Sequence, residues 1–323
     1  MLRSAPDELE NNFTRWMMHS VFTGSVKTGR WVSDKMACCY HRKEHKLARM
    51  TSNWAGGLYA KKIDRVEFTV APVAGIPCRI YRPKMFDQSA DEKSSPKLPV
   101  VVYIHGGGWT ICSARAYHEF TAKLARDTGT IVVSVEYSLG PEKPYPHGYE
   151  DCLAVVRALL NADSMPLTPF ISGRVDASRV IVGGDSAGGN LSAAVALDLI
   201  RFGEKRLSGL ILICPALQAC YFDFQSYQDY APKFGLDWFV AHYAGIKPST
   251  NVLQAMKRSE HLTNECRQLV VKYFPKHAAN AMATDSKGPS NSVPVRLVEL
   301  CSNVAAWPLL ADDDHLQQVC PYY

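Results

Sequence analysis

Between residues 98 and 217 the chain alternates two hydrophobic patterns. Short unbroken apolar runs, LPVVVYIH (98–105), TIVVSVEY (130–137), RVIVGG (179–184) and LSGLILICPAL (207–217), read as strands. Between them lie AYHEFTAKLARDTG (116–129), PHGYEDCLAVVRALLNA (146–162) and AGGNLSAAVALDLIRFG (187–203), which read as helices. Strands apolar on both faces belong in a parallel sheet covered on both sides. The βαβα order therefore predicts a doubly wound α/β architecture with right-handed crossovers. Two further strands, RVEFTV (65–70) and IPCRIYRP (76–83), precede a polar surface turn, MFDQSADEKSSPK (85–97).

The flanks are different. Residues 1–60 lean helical, with Phe13, Trp16, Met17, Val21 and Phe22 at mixed three and four spacing. From 218 to 305 the strand–helix rhythm is lost in an aromatic, polar stretch that includes ACYFDFQSYQDYAPKFGLDWFVAHYAG. The expected organisation is one domain: an N-terminal helical cap part (1–60), a sheet core (61–217), a cap insertion (218–305) and a short C-terminal part (306–323).

Composition narrows the class. With 47% hydrophobic and 21% charged residues over 323, the chain is of ordinary globular type and long enough for a full core. Its net charge of +5 is modest. The densest basic run, KMACCYHRKEHKLARM (35–50), is interleaved with apolar and acidic residues, so it reads as a solvated helix face and not a nucleic-acid patch. No apolar run reaches the roughly 18 residues of a membrane helix, and the N-terminus carries no apolar signal region. Of ten cysteines, Cys152 on a helix and Cys214 in an apolar strand read as buried thiols. Cys38, Cys39, His41 and His45 lack zinc-site spacing, so no metal is expected.

The chemistry concentrates in two loops. Gly184, Asp185, Ser186, Ala187 and Gly188 form G-x-S-x-G between a predicted strand and a predicted helix. That turn presents a nucleophilic serine at the top of the sheet, with glycines giving room to neighbouring backbone. Upstream, HGGGW (105–109) directly follows a strand, where tandem glycines aim backbone N–H groups at a developing oxyanion. The expected oxyanion hole is His105, Gly106, Gly107 and Ala187, with Gly106, Gly107 and Ala187 donating. Asp185, adjacent to the nucleophile in a tight turn, is expected to hold structure instead of completing a triad. Neither G-x-G-x-x-G nor a P-loop occurs, so no cofactor is expected.

With HGGGW and GDSAGGNL in place, the sequence resembles the hormone-sensitive-lipase-like group of α/β-hydrolases. Within that group it is similar to the arylacetamide deacetylase and neutral cholesterol ester hydrolase subfamily. VVVYIHGGGW, IVVSVEYSLGPE, RVIVGGDSAGGNLSAAV, LILICPALQACYFDFQSYQ and WPLLADDDHLQ carry the resemblance. It implies a serine carboxylesterase acting through an acyl-enzyme at Ser186 on lipophilic esters or amides. It also implies a helical cap and a place on the lumenal side of the endoplasmic reticulum membrane, through an anchor that is expected to be absent here, so that the chain as given reads as soluble. On the lumenal side, NFT at Asn12 would be a glycosylation acceptor.

Two departures qualify the resemblance. The subfamily's Y-R-L-A-P-E reads YSLGPE, with Ser138 in place of arginine, which puts the packing below the elbow in question. In addition, the family's acid and histidine follow two further strands, and VCPYY resembles only the start of the first. His242, His261, His277 and His315 follow Ser186 without a positioning strand, so each reads as a cap or surface histidine. These 323 residues are therefore expected to lack the last two strands and a complete triad, with near-background esterase activity and an exposed apolar edge at 207–217. The alternative is a ligand-binding pseudo-hydrolase or an inactive truncated product.

Overall fold

The computed structural model describes residues 45–46, 48–50, 52–53, 63–84, 96–204, 207–218, 221–222, 235–273, 289, 293–303, 306–308 and 311. They contain six strands, β1 (Val66–Val73), β2 (Ile76–Pro83), β3 (Leu98–Ile104), β4 (Ile131–Val135), β5 (Val175–Asp185) and β6 (Gly209–Ile213). Helices α1 (His118–Thr128), α2 (His147–Leu160) and α3 (Ala187–Arg201) fill the predicted connections. Four more, α4 (Leu236–Tyr243), α5 (Thr250–Lys257), α6 (Asn264–Tyr273) and α7 (Val295–Cys301), fall in the stretch where the periodicity breaks down.

The strands form one sheet in the order β1-β2-β4-β3-β5-β6. β1, β2 and β4 pair antiparallel, and β4, β3, β5 and β6 are parallel. The continuous apolar runs are explained by burial on both faces. In β3, Val100, Val102 and Ile104 enter the core shared with Leu153, Val156, Leu191 and Val195 of α2 and α3. The alternate residues Val101 and Tyr103 enter a second cluster with Tyr117, Ala122 and Ala125, on and next to α1. Thus β3 sends its following helix to one face while its neighbour β5 sends α3 to the other. A crevice opens at the C-terminal ends of adjacent strands whose connections diverge in this way, and both candidate loops lie there.

Cys152 is buried on α2, as its pattern implies, but Cys214 is exposed. β6 stops at Ile213, and Cys214 turns away at φ 44°. Among the described residues β6 is also a sheet edge, so nothing covers the next residue along.

That edge is apolar. Ile211 and Leu212 are 42% and 37% exposed, an arrangement that invites pairing between chains. The isolated 323-residue chain should self-associate with rising concentration, and Ile211→Lys should suppress light scattering at a stability cost below about 1 kcal/mol. A monomeric wild-type chain in sedimentation velocity at high concentration would exclude this.

Candidate active site

The elbow is built by close approach of backbone. Ser186 connects β5 to α3 at φ 51°, ψ −117°, a strained conformation worth on the order of 1–3 kcal/mol. Its N–H donates to the Ile213 carbonyl at 2.9 Å, and its carbonyl accepts from Asn190 at 3.0 Å and Ala216 at 3.1 Å. The end of β6 and the loop after it thus clamp the turn from outside the motif. A Cβ on Gly184 would collide with the Ile104 carbonyl oxygen, and one on Gly188 with the carbonyls of Ile104 and His105. The glycines are therefore required by β3, which runs against the first turn of α3.

Asp185 ties the two loops together. Fully buried, its carboxylate accepts from Tyr103 Oη at 2.8 Å, the Gly106 N–H at 3.1 Å and Tyr117 Oη at 2.8 Å. Burial pushes its pKa up, against the opposing pull of the Tyr117, Tyr103 and Gly106 bonds. The two phenols are driven well above their usual range, first by burial and then by the Asp185 charge, so they stay protonated as donors.

The Gly106 bond bears on the expected donor set. Its N–H is engaged by Asp185 and is not available to a ligand oxyanion. Along the loop, nearly every other polar group is also accounted for. The Gly106 carbonyl lies 2.8 Å from His105 Nδ1. The Gly107 carbonyl accepts from Thr110 and Ile111, and the Gly108 carbonyl from Thr110 Oγ1. In a trans peptide the N–H points opposite to the preceding carbonyl. Fixing the carbonyls of Gly106 and Gly107 therefore fixes the directions of the Gly107 and Gly108 N–H groups. These two, with the N–H groups of Trp109 and Ala187, have no acceptor among the described residues.

His105 is thus an orienting residue of the loop, and its ring is not placed as a donor. The ring is completely buried, stacked on Tyr137 with centroids 4.4 Å apart, and burial pushes its pKa down to about 4. The neutral ring donates from Nδ1 to the Gly106 carbonyl.

Other contacts join the loops to distant segments. Trp109 Nε1 donates to Asn190 Oδ1 at 3.2 Å, and Asn190 Nδ2 to the Ala306 carbonyl at 2.8 Å. The Trp109 ring stacks on Tyr243 of α4, 4.5 Å between centroids. Phe239 of the same helix occupies the space where a Gly108 side chain would stand. Where arginine is replaced by Ser138, the Asp151 carboxylate accepts the Ser138 N–H at 2.8 Å.

No described histidine hydrogen-bonds Ser186. His242 lies on α4 with Nδ1 2.9 Å from the Trp238 carbonyl, and burial pushes it down to about 4. His261 is buried near Phe222. His45 pairs with Glu142 at 3.1 Å, whereas Cys38, Cys39, His41, His277 and His315 lie outside the described residues. The sequence reading missed Tyr103, Tyr117, Asn190 and Phe239. Only Asn190 carried a signal, its place one helical turn after Ser186.

Two outcomes follow from this geometry. Gly188→Ala drives a Cβ into fixed backbone and should cost about 3 kcal/mol in denaturant unfolding. Gly209→Ala, whose Cβ meets Ile181 at 3.5 Å or beyond, should stay within about 1 kcal/mol. For His105 the folded pKa lies below the unfolded one, so its contribution is complete above pH ~6.5 and is lost as pH falls toward 4. Between pH 7 and pH 5 urea titration should show a loss of about 2 kcal/mol from this ring, with His242 adding a loss of the same sign. A flat profile would count against neutral burial.

Comparison with known proteins matches this architecture. The model of the alpha/beta hydrolase fold family matches residues 101–276. Arylacetamide deacetylase of Oryctolagus cuniculus is 32% identical, over 79% of this chain and 64% of that protein. The tuliposide A-converting enzyme 2 of Tulipa gesneriana, chloroplastic, is 37% identical over 46% of this chain and 38% of that one. The crystal structure of an esterase from the bacterial hormone-sensitive lipase family superposes with a TM-score of 0.53 at 25% identity, covering 77% and 73% of the two chains. The chain spans less than two thirds of the length of either curated relative. It belongs to the α/β-hydrolase fold family, in the hormone-sensitive-lipase-like group.

Proposed function

We propose that the chain is a serine carboxylester hydrolase of the esterase and deacetylase type, acting on lipophilic esters or amides through an acyl-enzyme at Ser186. The observation carrying this reading is a strained serine at the start of α3, next to a loop whose unengaged N–H groups are held in fixed directions. Ser186 Oγ attacks the acyl carbonyl as its proton passes to a base, and the tetrahedral adduct collapses with loss of the alcohol or amine, leaving an acyl-enzyme that water then cleaves. The N–H groups of Gly107, Gly108 and Ala187 receive the oxyanion, with Gly108 taking the place first expected for Gly106. His105 and Asp185 orient the loop without touching substrate. The aromatic side of α4, with Phe239 against Gly108, favours apolar acyl groups at this end of the site.

The histidine that deprotonates Ser186 and its acid partner are not supplied by the described residues. A nucleophile without its base retains only the catalysis of the oxyanion hole and binding, about 10³–10⁴ over water. If no base comes from outside the described residues, the 323-residue chain should hydrolyse p-nitrophenyl butyrate at that residual level; faster turnover abolished by Ser186→Ala would show that one does. A fluorophosphonate probe should give a slow adduct at Ser186 that Ser186→Ala removes. Adducts scattered over other residues, or none under prolonged excess probe, would defeat the reading. A ligand-binding pseudo-hydrolase is favoured by the one observation that no described histidine reaches Ser186. It expects saturable binding of a lipophilic ester without an adduct.

We place the domain on the lumenal side of the endoplasmic reticulum membrane, supported by the likeness to arylacetamide deacetylase. No helix among the described residues is long and apolar enough to cross a membrane. Carried into microsomes behind an added signal sequence, the protein should gain an endoglycosidase-sensitive glycan at Asn12 that Asn12→Gln abolishes; an unglycosylated product would count against a lumenal domain.

A further inference from the structure

A segment far upstream of both motifs is hydrogen-bonded to the loop that carries the proposed donors. Arg49 Nε donates to the Thr110 carbonyl at 2.9 Å, and Arg49 Nη2 donates to the Gly140 carbonyl at 2.9 Å. The same guanidinium pairs with Glu142, whose Oε2 is 3.0 Å from Nη2, and His45 Nε2 lies 3.1 Å from Glu142 Oε1. Three residues on, Ser52 Oγ accepts the Cys112 N–H at 3.2 Å, and Asn53 Oδ1 accepts from Ser113 Oγ at 2.7 Å. The two loops that Arg49 spans are themselves joined, with the Gly140 N–H donating to the Trp109 carbonyl at 2.8 Å.

We infer that Arg49 is a positioning residue for the oxyanion loop, bridging the carbonyls of Thr110 and Gly140 so that the turn presenting the Gly107 and Gly108 N–H groups keeps one geometry. This deepens the reading of Ser186 as a nucleophile and rests on it. The direction of the Gly108 N–H depends on the Gly107 carbonyl, which accepts from the N–H groups of Thr110 and Ile111. Rotation of the Thr110–Ile111 peptide, whose carbonyl Arg49 holds, would release the Ile111 bond, and the Trp109–Thr110 peptide that carries the other bond is held through its carbonyl by the Gly140 N–H. The planar fork of Arg49 reaches two carbonyls at once. A lysine presents a single ammonium and cannot hold both in one orientation.

The ion pair with Glu142 is a different matter. Burial alone would raise the Glu142 carboxyl, and the Arg49 bond together with the Arg49 and His45 charges holds it below its ordinary value. Both side chains are partly exposed, and exposed pairs contribute little to stability. Loss of the charge should therefore matter less than loss of the two carbonyl bonds.

The test compares Arg49→Lys, Arg49→Ala and Glu142→Gln in the full 323-residue chain, by hydrogen exchange and by the rate of fluorophosphonate adduct formation at Ser186. In Arg49→Lys, exchange of the Thr110, Ile111, Cys112 and Gly140 amides should rise at least about tenfold, while α3 amides and the melting midpoint remain near wild type. The adduct rate should fall about tenfold in Arg49→Lys and stay within about twofold in Glu142→Gln. Unchanged exchange in Arg49→Lys, or raised exchange with a wild-type adduct rate, would overturn the assignment. If Arg49→Ala does not fold, the lysine variant decides. If wild type forms no adduct, it is the nucleophile reading that fails, and hydrogen exchange still decides whether Arg49 holds the loop.

Discussion

The site depends on one buried carboxylate. Asp185 sits between the nucleophile elbow and the oxyanion loop without exposure to water, and it is tolerated there because three donors converge on it. Each donor comes from a different element: Tyr103 from β3, Gly106 from the loop after it, and Tyr117 from just before α1. Moving any of these would strand a charge in a low-dielectric interior. The spatial relation of the two loops is therefore fixed by desolvation as much as by shape.

Around that anchor, the backbone accounts for most of its own hydrogen bonds and leaves a few unmade on one side. His105 turns the Gly106 carbonyl away, while Thr110 and Ile111 take the Gly107 carbonyl. Because peptide groups are rigid, the N–H groups of Gly107 and Gly108 are aimed as a consequence. The strain at Ser186 belongs to the same assembly. Its conformation is held by bonds from Ile213, Asn190 and Ala216, and by the Ile104 and His105 carbonyls packed against Gly184 and Gly188. A buried, neutral His105 and a strained serine both cost stability, and the packed β3–β5 layer offsets that cost.

Segments outside the sheet complete this arrangement. α4 covers Gly108 with Phe239 and Trp109 with Tyr243, and Asn190 links Trp109 to the carbonyl of Ala306. These partners lie from about 80 residues (Asn190) to almost 200 residues (Ala306) from the loop they support. A local pattern reports side chains that share a helix face or strand face, and carries no information on which distant segment returns to fill a gap. The aromatic stretch containing Phe239 and Tyr243 was legible as something other than sheet core, but its partners were not.

The sequence alone determined the six strands, the three crossover helices and the two loops. These follow from local periodicity and from glycines that the backbone requires. It also singled out Ser186 and assigned Asp185 to structure, because adjacent side chains in a tight turn diverge. Cys214 was misjudged, since an apolar run does not reveal that its strand ends one residue early at a sheet edge. Which glycine N–H groups remain free was decided only by tertiary structure. Gly106 and Gly107 are alike in sequence, and only the Asp185 carboxylate, delivered by a strand some 80 residues later, distinguishes them.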